Sequence, residues 1–564
     1  MTRIEAFLNQ PRTAYFSMEM ALHAEIPTFS GGLGVLAGDT MRTAADLALP
    51  MVGVTLVSRA GYFKQTIVDG RQLETPDWWQ PERWAQPLPT KVAVLIEGRE
   101  VWVRGWLHVL DGHLGGAVPI VLLDTDLEEN GPEDREITHY LYGGERAYRL
   151  KQEIIMGIGG MRMLAALGFQ VHKYHLNEGH AALLALELLR RSVNAQGKGG
   201  GAGTPHDVAA VRERCIFTTH TPVEAGHDVF AYDLVDRVLG DFTDREQLRA
   251  LGGDDRLNLT RLALNLSGFV NGVAKRHAEL SRQMFPGYDV HAVTNGVHPR
   301  TWTCPSFRAL YDAQLPGWSR EPAILMHADR LSNAELWTAH EAAKHDLLAR
   351  IEALGGPRLD PALPVLGFAR RMTAYKRADL LFTDLERLAA IAVNLPFQVV
   401  MAGKAHPRDE GGKQLIERLH GWAGELQGKV PVVFLADYSL DLAKLMVAGA
   451  DVWVNTPQRP LEASGTSGMK ATFNGVPNLS VLDGWWLEGW IEGVTGWAVG
   501  TEADTDPARD ASLLYEKLER TVLPLYHRDR AGWIAVMKGA ISRNASFFNS
   551  HRMMWRYASE AYMA

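Results

Sequence analysis

Short runs of apolar residues recur along the chain, at 51–57 and 119–123 in the first half and at 365–368, 397–401, 430–435 and 451–455 in the second. Such brief runs, rich in Val, Ile, Leu and Phe and without polar alternation, are what a strand buried on both faces requires. Longer helical patterns stand between them, among them 35–49, 136–167 and 380–388. Strand and helix alternate in both halves, so the pattern predicts an α/β protein with two doubly wound sheets. Ligands of such sheets bind at the carboxyl ends of the strands, and His220, Arg370, Gly403 and Asn455 stand at or just beyond predicted ends. The turn-rich Asn295-Gly-Val-His-Pro299 marks a boundary near residue 300, giving units 1–300 and 301–540 with a cleft between them.

Composition narrows the class. A chain of 564 residues, 46% of them hydrophobic, is able to bury two or more cores. Its net charge of −8 and lack of a long basic run exclude a nucleic-acid partner. Cys215 and Cys304 cannot build a disulfide framework, and without a CxxC pair they do not suggest zinc. Neither a secretory signal nor an apolar run of membrane length is apparent, so the expected location is cytoplasmic, with no membrane partner. The low-complexity piece 196–203 reads as a flexible surface loop without a function, and no solenoid period is present.

The chemistry concentrates in residues 460–482. Ser464, Gly465, Thr466, Ser467 and Gly468 offer N–H groups and hydroxyls at the start of a predicted helix, and Lys470 follows within about one turn. A lysine beside an anion cradle is what pyridoxal phosphate needs, an amine for its aldehyde and donors for its 5′-phosphate. The local pattern is equally that of a glycine-rich turn followed by an exposed lysine, and both readings stay open at this point. A Walker loop is excluded, because neither the four-residue spacing nor the following Ser or Thr is present. Arg370, Arg371, Lys376 and Arg377 bracket a predicted strand end and helix start, where cations oppose the helix dipole unless an anion is bound. Their alternative is a solvated basic patch. Ser30-Gly-Gly-Leu-Gly34 forms a second glycine loop ahead of a helix. His175, His180, His220 and His227 lack the spacing of a shared helical metal site, so no metal is expected. No pair of carboxylates stands out for glycosidase chemistry.

The run Glu462-Ala-Ser-Gly-Thr-Ser-Gly-Met-Lys470, with Phe473-Asn-Gly475 and Leu482-Asp-Gly484, resembles the cofactor signature of the α-glucan (glycogen, starch and maltodextrin) phosphorylases. Further blocks follow in family order: Tyr15-Phe-Ser-Met-Glu19, Ser30 to Gly34, Leu176-Asn-Glu-Gly-His180, His220-Thr221, Thr294 to Arg300, Arg370 to Arg377 and Ala402-Gly-Lys404. The length resembles the short bacterial and archaeal branch. The resemblance implies the GT-B architecture, two Rossmann-like domains facing across a cleft, with 541–564 as a helix crossing back to the first. It implies pyridoxal 5′-phosphate on Lys470, with Thr466, Ser467 and Arg370 near its phosphate. Arg371, Lys376 and the Gly32 amide would hold the substrate phosphate. His220, Asn295, Glu462, Ser464 and Gly465 would hold the glucosyl unit. Long family members usually carry lysine where this chain has Arg370, a change that keeps the charge and alters the fork geometry.

The implied activity is reversible, retaining phosphorolysis of an α-1,4-glucan (glycogen, starch or maltodextrin) by inorganic phosphate to glucose 1-phosphate, in a homodimer. Two other readings are a glycogen- or starch-synthase-like transferase using a nucleotide sugar, and a catalytically silent glucan-binding protein. Only residues 1–14 precede the Tyr15 block, so the sequence predicts no N-terminal regulatory element and hyperbolic dependence on phosphate without a nucleotide effector.

Overall fold

The computed structural model describes residues 3–196, 207–223, 226–501 and 506–563, so the glycine-rich run at 197–203 lies outside the described residues. The larger sheet contains β1 (Arg12–Ser17), β2 (Met51–Leu56), β3 (Gln86–Ile96), β4 (Arg99–Asp111), β5 (Ala117–Asp124), β6 (Val171–Asn177), β7 (Cys215–Thr218), β8 (Phe269–Gly272) and β9 (His291–Ala292). Their spatial order is β9-β8-β7-β6-β1-β2-β5-β4-β3, parallel except where β4 pairs antiparallel with β3 and β5. The second sheet contains β10 (Val365–Ala369), β11 (Gln398–Ala402), β12 (Val432–Leu435), β13 (Val452–Asn455), β14 (Asn478–Val481) and β15 (Gly496–Val499). It is parallel throughout, in the order β12-β11-β10-β13-β14-β15.

Each predicted strand is present with its ends moved by one or two residues, and β1, β2, β10, β11 and β13 are buried along their whole length. The order of each sheet reverses beside its first strand, between β1 and β6 in one and between β10 and β13 in the other. Loops leaving adjacent strands in opposite directions open a crevice at the carboxyl edge, the place where a ligand fits. The loops after β1, β6, β10 and β13 carry Ser30 to Gly32, Glu178, Arg370 to Arg377 and Thr456 to Lys470.

Two predicted helices are corrected. Residues 136–167 do not form one helix: a 3-10 turn at Glu136–Thr138 is followed by a bend with Tyr142 and Gly144 at positive φ, and helix resumes at Arg146. The bend brings the Tyr142 hydroxyl to Glu19 Oε1 at 2.9 Å, a contact that a continuous helix would forbid. Residues 380–388 likewise begin with a 3-10 turn, Leu380–Phe382, and the α-helix is Leu385–Asn394. Arg370, Arg371, Lys376 and Arg377 therefore do not stand in a helical first turn, and the dipole argument for them fails. Arg377 instead adopts a left-handed backbone at φ 47°, which ends the short turn Ala374–Lys376.

A hairpin missed in the sequence, Lys64–Val68 with Arg71–Thr75, bridges the two sheets. Gln65 Nε2 donates to the Gly403 carbonyl at 2.9 Å and Gln72 Nε2 to that of Ala405 at 2.9 Å. At the other end of the chain, Asn271 Nδ2 in β8 donates to the Tyr557 hydroxyl at 3.0 Å, and the Tyr562 hydroxyl lies 2.8 Å from His175 Nδ1 in β6. Among the described residues no helix is long and apolar enough to cross a membrane.

Candidate active site

Gly32, His220, Asn295, Arg370, Arg371, Lys376, Glu462, Ser464, Gly465, Thr466, Ser467 and Lys470 all line one cavity of about 240 Å³. A second cavity of about 580 Å³ shares Ser30, His220, Arg371 and Tyr375 with it and extends along the loops after β1, β6 and β7. Residues more than 400 positions apart meet because both sheets present their carboxyl edges to this space.

The glycine loop after β1 opens the helix α1 (Gly32–Asp46). Glu19 fixes it: Oε2 accepts from the Ser30 amide at 2.6 Å and from the Gly31 amide at 3.0 Å. Gly32 and Leu33 are then the first helical residues, whose N–H groups have no acceptor inside the helix. A Cβ built on Gly32 meets nothing within 4 Å, so the missing side chain leaves cavity space for a ligand close to the backbone.

The loop after β10 delivers the cations. Gly403, at φ 158°, lets β11 pass so closely that an added Cβ would lie 2.0 Å from the Arg370 carbonyl oxygen. Arg370 NH2 lies 2.5 Å from Glu462 Oε2, and Lys376 Nζ lies 2.6 Å from the same oxygen. Burial pushes the Glu462 carboxyl up, but Arg370 and Lys376 outweigh it and hold it at about 2. The sequence reading placed Glu462 only on sugar hydroxyls; here it also neutralises two cations. Arg371 differs from both, because its guanidinium makes no hydrogen bond or ion pair among the described residues and faces both cavities.

Lys470 sits in a six-residue helix, α2 (Ser467–Thr472), capped by Thr466. So short a helix has little dipole, and the anion donors of this segment are its amides: those of Ser464, Gly465 and Thr466 have no protein acceptor among the described residues. The Ser467 hydroxyl is occupied by the Trp453 indole at 3.0 Å, which leaves its N–H. Lys470 Nζ lies 4.1 Å from the centre of the Trp302 ring, whose own N–H is anchored on Asp39 at 2.7 Å. Burial pulls the Lys470 ammonium down to about 8, with Asp39 opposing. Such an amine is nucleophilic near neutral pH, and a carbonyl-bearing cofactor with an anionic group fits the space in front of it.

His220 is held through the loop after β7. Glu178, in β6's loop at φ 73°, accepts the His220 amide at 2.8 Å and the Thr221 hydroxyl at 2.9 Å. Asn177 Nδ2 donates to Ser17, so its Oδ1 accepts from His220 Nε2 at 2.6 Å, and Nδ1 is the acceptor. Burial, with neighbouring histidines, lowers His220 to about 3, so it is neutral. Asn295 Oδ1, Arg370 NH1 and Ser464 Oγ are buried and have no hydrogen-bond partner among the described residues. His175 and His227 are bonded to hydroxyls of Thr218 and Thr260, which accounts for both as structural groups. The structuring roles of Glu19, Asp39, Glu178 and Trp302 were not visible in the sequence, since each acts through residues remote along the chain.

A family model described as carbohydrate phosphorylase matches residues 21–100 and 227–492. The matched segments contain Gly32, Asn295 and the loops with Arg370 to Lys470, while His220 lies between them. The chain is 40% identical over 593 aligned residues to the maltodextrin phosphorylase of Thermococcus litoralis, an alignment covering 97% of this chain and 70% of that protein. It is 36% identical to the glycogen phosphorylase of Mycobacterium tuberculosis, with 97% and 70% covered. For the glycogen phosphorylase of Aquifex aeolicus the identity is 35%, with 97% and 85% covered.

Proposed function

The chain belongs to the carbohydrate phosphorylase family, and from that premise we propose that it is an α-1,4-glucan phosphorylase, moving terminal glucosyl units reversibly between a glucan and inorganic phosphate. The observation that carries this reading is the convergence, on one cavity, of a buried amine, a guanidinium without a protein partner and three unpartnered buried polar atoms. Among the described residues Glu462 is the one carboxylate lining that cavity, and two cations keep it ionised. A group held at about 2 is no proton donor, which argues against a glycosidase using paired carboxylates. Phosphorolysis needs no protein acid, because the substrate phosphate brings its own proton.

The residues fit pyridoxal phosphate: Lys470 would take its aldehyde, while Arg370 NH1 and the amides of the Thr466 segment would hold its 5′-phosphate. When bound, the cofactor supplies through that phosphate an acid–base group beside the substrate phosphate. Arg371 and Lys376 would neutralise the substrate phosphate, with the Gly32 amide as a further donor. His220, Asn295 Oδ1, Ser464 and the Gly465 amide would orient the glucosyl hydroxyls. In the forward direction the C1–O4 bond breaks, the phosphate proton passes to the leaving O4, and a phosphate oxygen bonds to C1 on the same face. A nucleotide-sugar transferase would give the buried Lys470 amine no task.

Incubation with maltodextrin and phosphate should release glucose 1-phosphate from a protein with a pyridoxal absorbance band. A protein that carries the band but forms none of this product from any α-1,4-glucan would refute the reading. The cofactor-free protein makes a second test. Because burial favours the neutral amine and lowers Lys470 to about 8, the rate of pyridoxal phosphate uptake should climb with pH and level off above about 8. A rate still climbing toward the ordinary lysine range near pH 10 would show that the amine is not perturbed.

A further inference from the structure

The far end of α1 carries a cluster that the catalytic reading does not use. Asp46, the last residue of α1, lies within 4.8 Å, ligand atom to ligand atom, of His298 and His551, and all three are buried. Among the described residues it is the one group of three or more His, Cys, Asp and Glu side chains so arranged. His298 caps the short helix Pro299–Trp302, and His551 stands in the C-terminal helix α3 (Ser550–Tyr557). Asp46 Oδ2 lies 2.7 Å from His298 Nε2 and 3.9 Å from His551 Nε2.

His551 is 2% exposed and its Nε2 has no hydrogen-bond partner. Its Nδ1 lies 3.2 Å from the Arg320 carbonyl oxygen, which only accepts, so Nδ1 carries a proton, and Nε2 stands 3.9 Å from the Asp46 carboxylate. In the neutral ring that nitrogen offers a lone pair, and a cation between it and the carboxylate would be held by both. We propose that Asp46, His298 and His551 bind a divalent transition-metal ion, zinc by the chemistry of the set, as a structural clamp.

The surroundings suit that role. His298 Nδ1 accepts from the Thr301 amide at 3.2 Å and lies 2.7 Å from the Thr301 hydroxyl, so Nε2–H donates to Asp46 Oδ2 at 2.7 Å; ligation through Nε2 would shift that ring proton to Nδ1, where the hydroxyl is the acceptor. Thr301 and the Arg320 carbonyl are thus the outer partners that fix ring orientation in histidine metal sites. His113, on the turn between β4 and β5, grips the same carboxylate from outside, its amide on Oδ1 at 2.8 Å and its Nδ1 2.7 Å from Oδ2. Ligands of tetrahedral zinc, at about 2.0–2.1 Å from the ion, lie roughly 3.4 Å apart. The 2.7 Å contact would open by about 0.7 Å and the 3.9 Å contact close by about 0.5 Å, which side-chain torsions absorb. The clamp would join three places: the end of α1, whose start carries Gly32; the segment after Asn295 that ends in Trp302; and the C-terminal helix. None of these three ligands lines the catalytic cavity, so the proposal does not depend on the reaction assigned to it.

The test uses the full-length holoprotein, stripped with a chelator and then titrated with zinc or with cobalt(II). One equivalent of zinc per chain, a higher unfolding midpoint than the stripped form, and intense visible bands of low-coordinate cobalt are expected. Asp46→Asn keeps the shape and loses the anionic ligand, and His551→Ala removes the unpartnered nitrogen. Each should weaken cobalt binding by about a hundredfold or more, since even outer partners are worth 10–100-fold. Should His551→Ala not fold, Asp46→Asn and His298→Ala carry the comparison. Uptake well below one equivalent by the parent, or cobalt spectra and midpoints unchanged by these substitutions, would overturn the site and leave a hydrogen-bonded side-chain network alone.

Discussion

Lys470→Met is expected to give a folded, colourless protein whose phosphorolysis falls by at least about a thousandfold. Methionine resembles lysine in length and is apolar, and Lys470 is 7% exposed with its amine against the Trp302 ring, so packing is largely kept. What disappears is the amine that would take the cofactor's aldehyde, and with it the group that assists proton transfer at the substrate phosphate. General acid–base assistance of this kind contributes typically 10²–10⁴-fold, and the misplacement of a loosely held cofactor adds to that loss. The check has two parts. Borohydride reduction of the parent followed by peptide mapping should place a phosphopyridoxyl group on Lys470, and the variant should bear none. Parent-like activity in the variant, or an unmodified Lys470 in active parent protein, would refute the assignment.

Much of the fold was legible because strands buried on both faces leave apolar runs, and β2, β5, β10, β11, β12 and β13 all do so. β6 reads Val-His-Lys-Tyr-His-Leu-Asn, and its polar residues hide a strand whose later half is buried. Those residues are polar for a reason outside the strand: His175 meets Tyr562, and Asn177 sets the His220 ring. β14 reads Asn-Leu-Ser-Val and β15 Gly-Trp-Ala-Val, so polar and small residues interrupt the apolar run in each. The helix errors lie where hydrophobic period is blind: Tyr142 turns left-handed inside 136–167, and Asp384, extended at φ −140° and accepting from the Arg387 amide, starts the α-helix only at Leu385. The site was legible as a set of residues, all lining one cavity, but not as a network. No local pattern places Glu462 between Arg370 and Lys376, Glu19 on the Ser30-Gly31 amides, or Asp39 behind Trp302. For the same reason no local pattern joins Asp46, His298 and His551, which meet only in the fold.

The contrast between Arg371 and its neighbours sets the second large effect. Arg370 and Lys376 share Glu462, whereas Arg371 makes no ion pair among the described residues, with Glu19 acting on it only at longer range. A unit charge pair at about 4 Å with an effective dielectric near 20 is worth roughly 4 kcal/mol, and losing one donor to a transition-state anion costs about 2.7–4 kcal/mol. Arg371→Ala should therefore lower kcat/KM for phosphate by about 10²–10³-fold, with little change in stability because no protein partner is stranded. Arg371→Lys keeps the charge without the planar fork and should fall between the two. The lining explains why the loss should appear in kcat as well as KM: the Arg371 stem runs past Gly31, where an added Cβ would lie 3.4 Å from its Cδ, and the residue lines both cavities. A phosphate bound there would feel this charge in the transition state as well as in the bound complex. Phosphate kinetics of Arg371→Ala within a few-fold of the parent would mean that the reacting anion sits elsewhere on the wall, against the Gly32 and Ser464 amides.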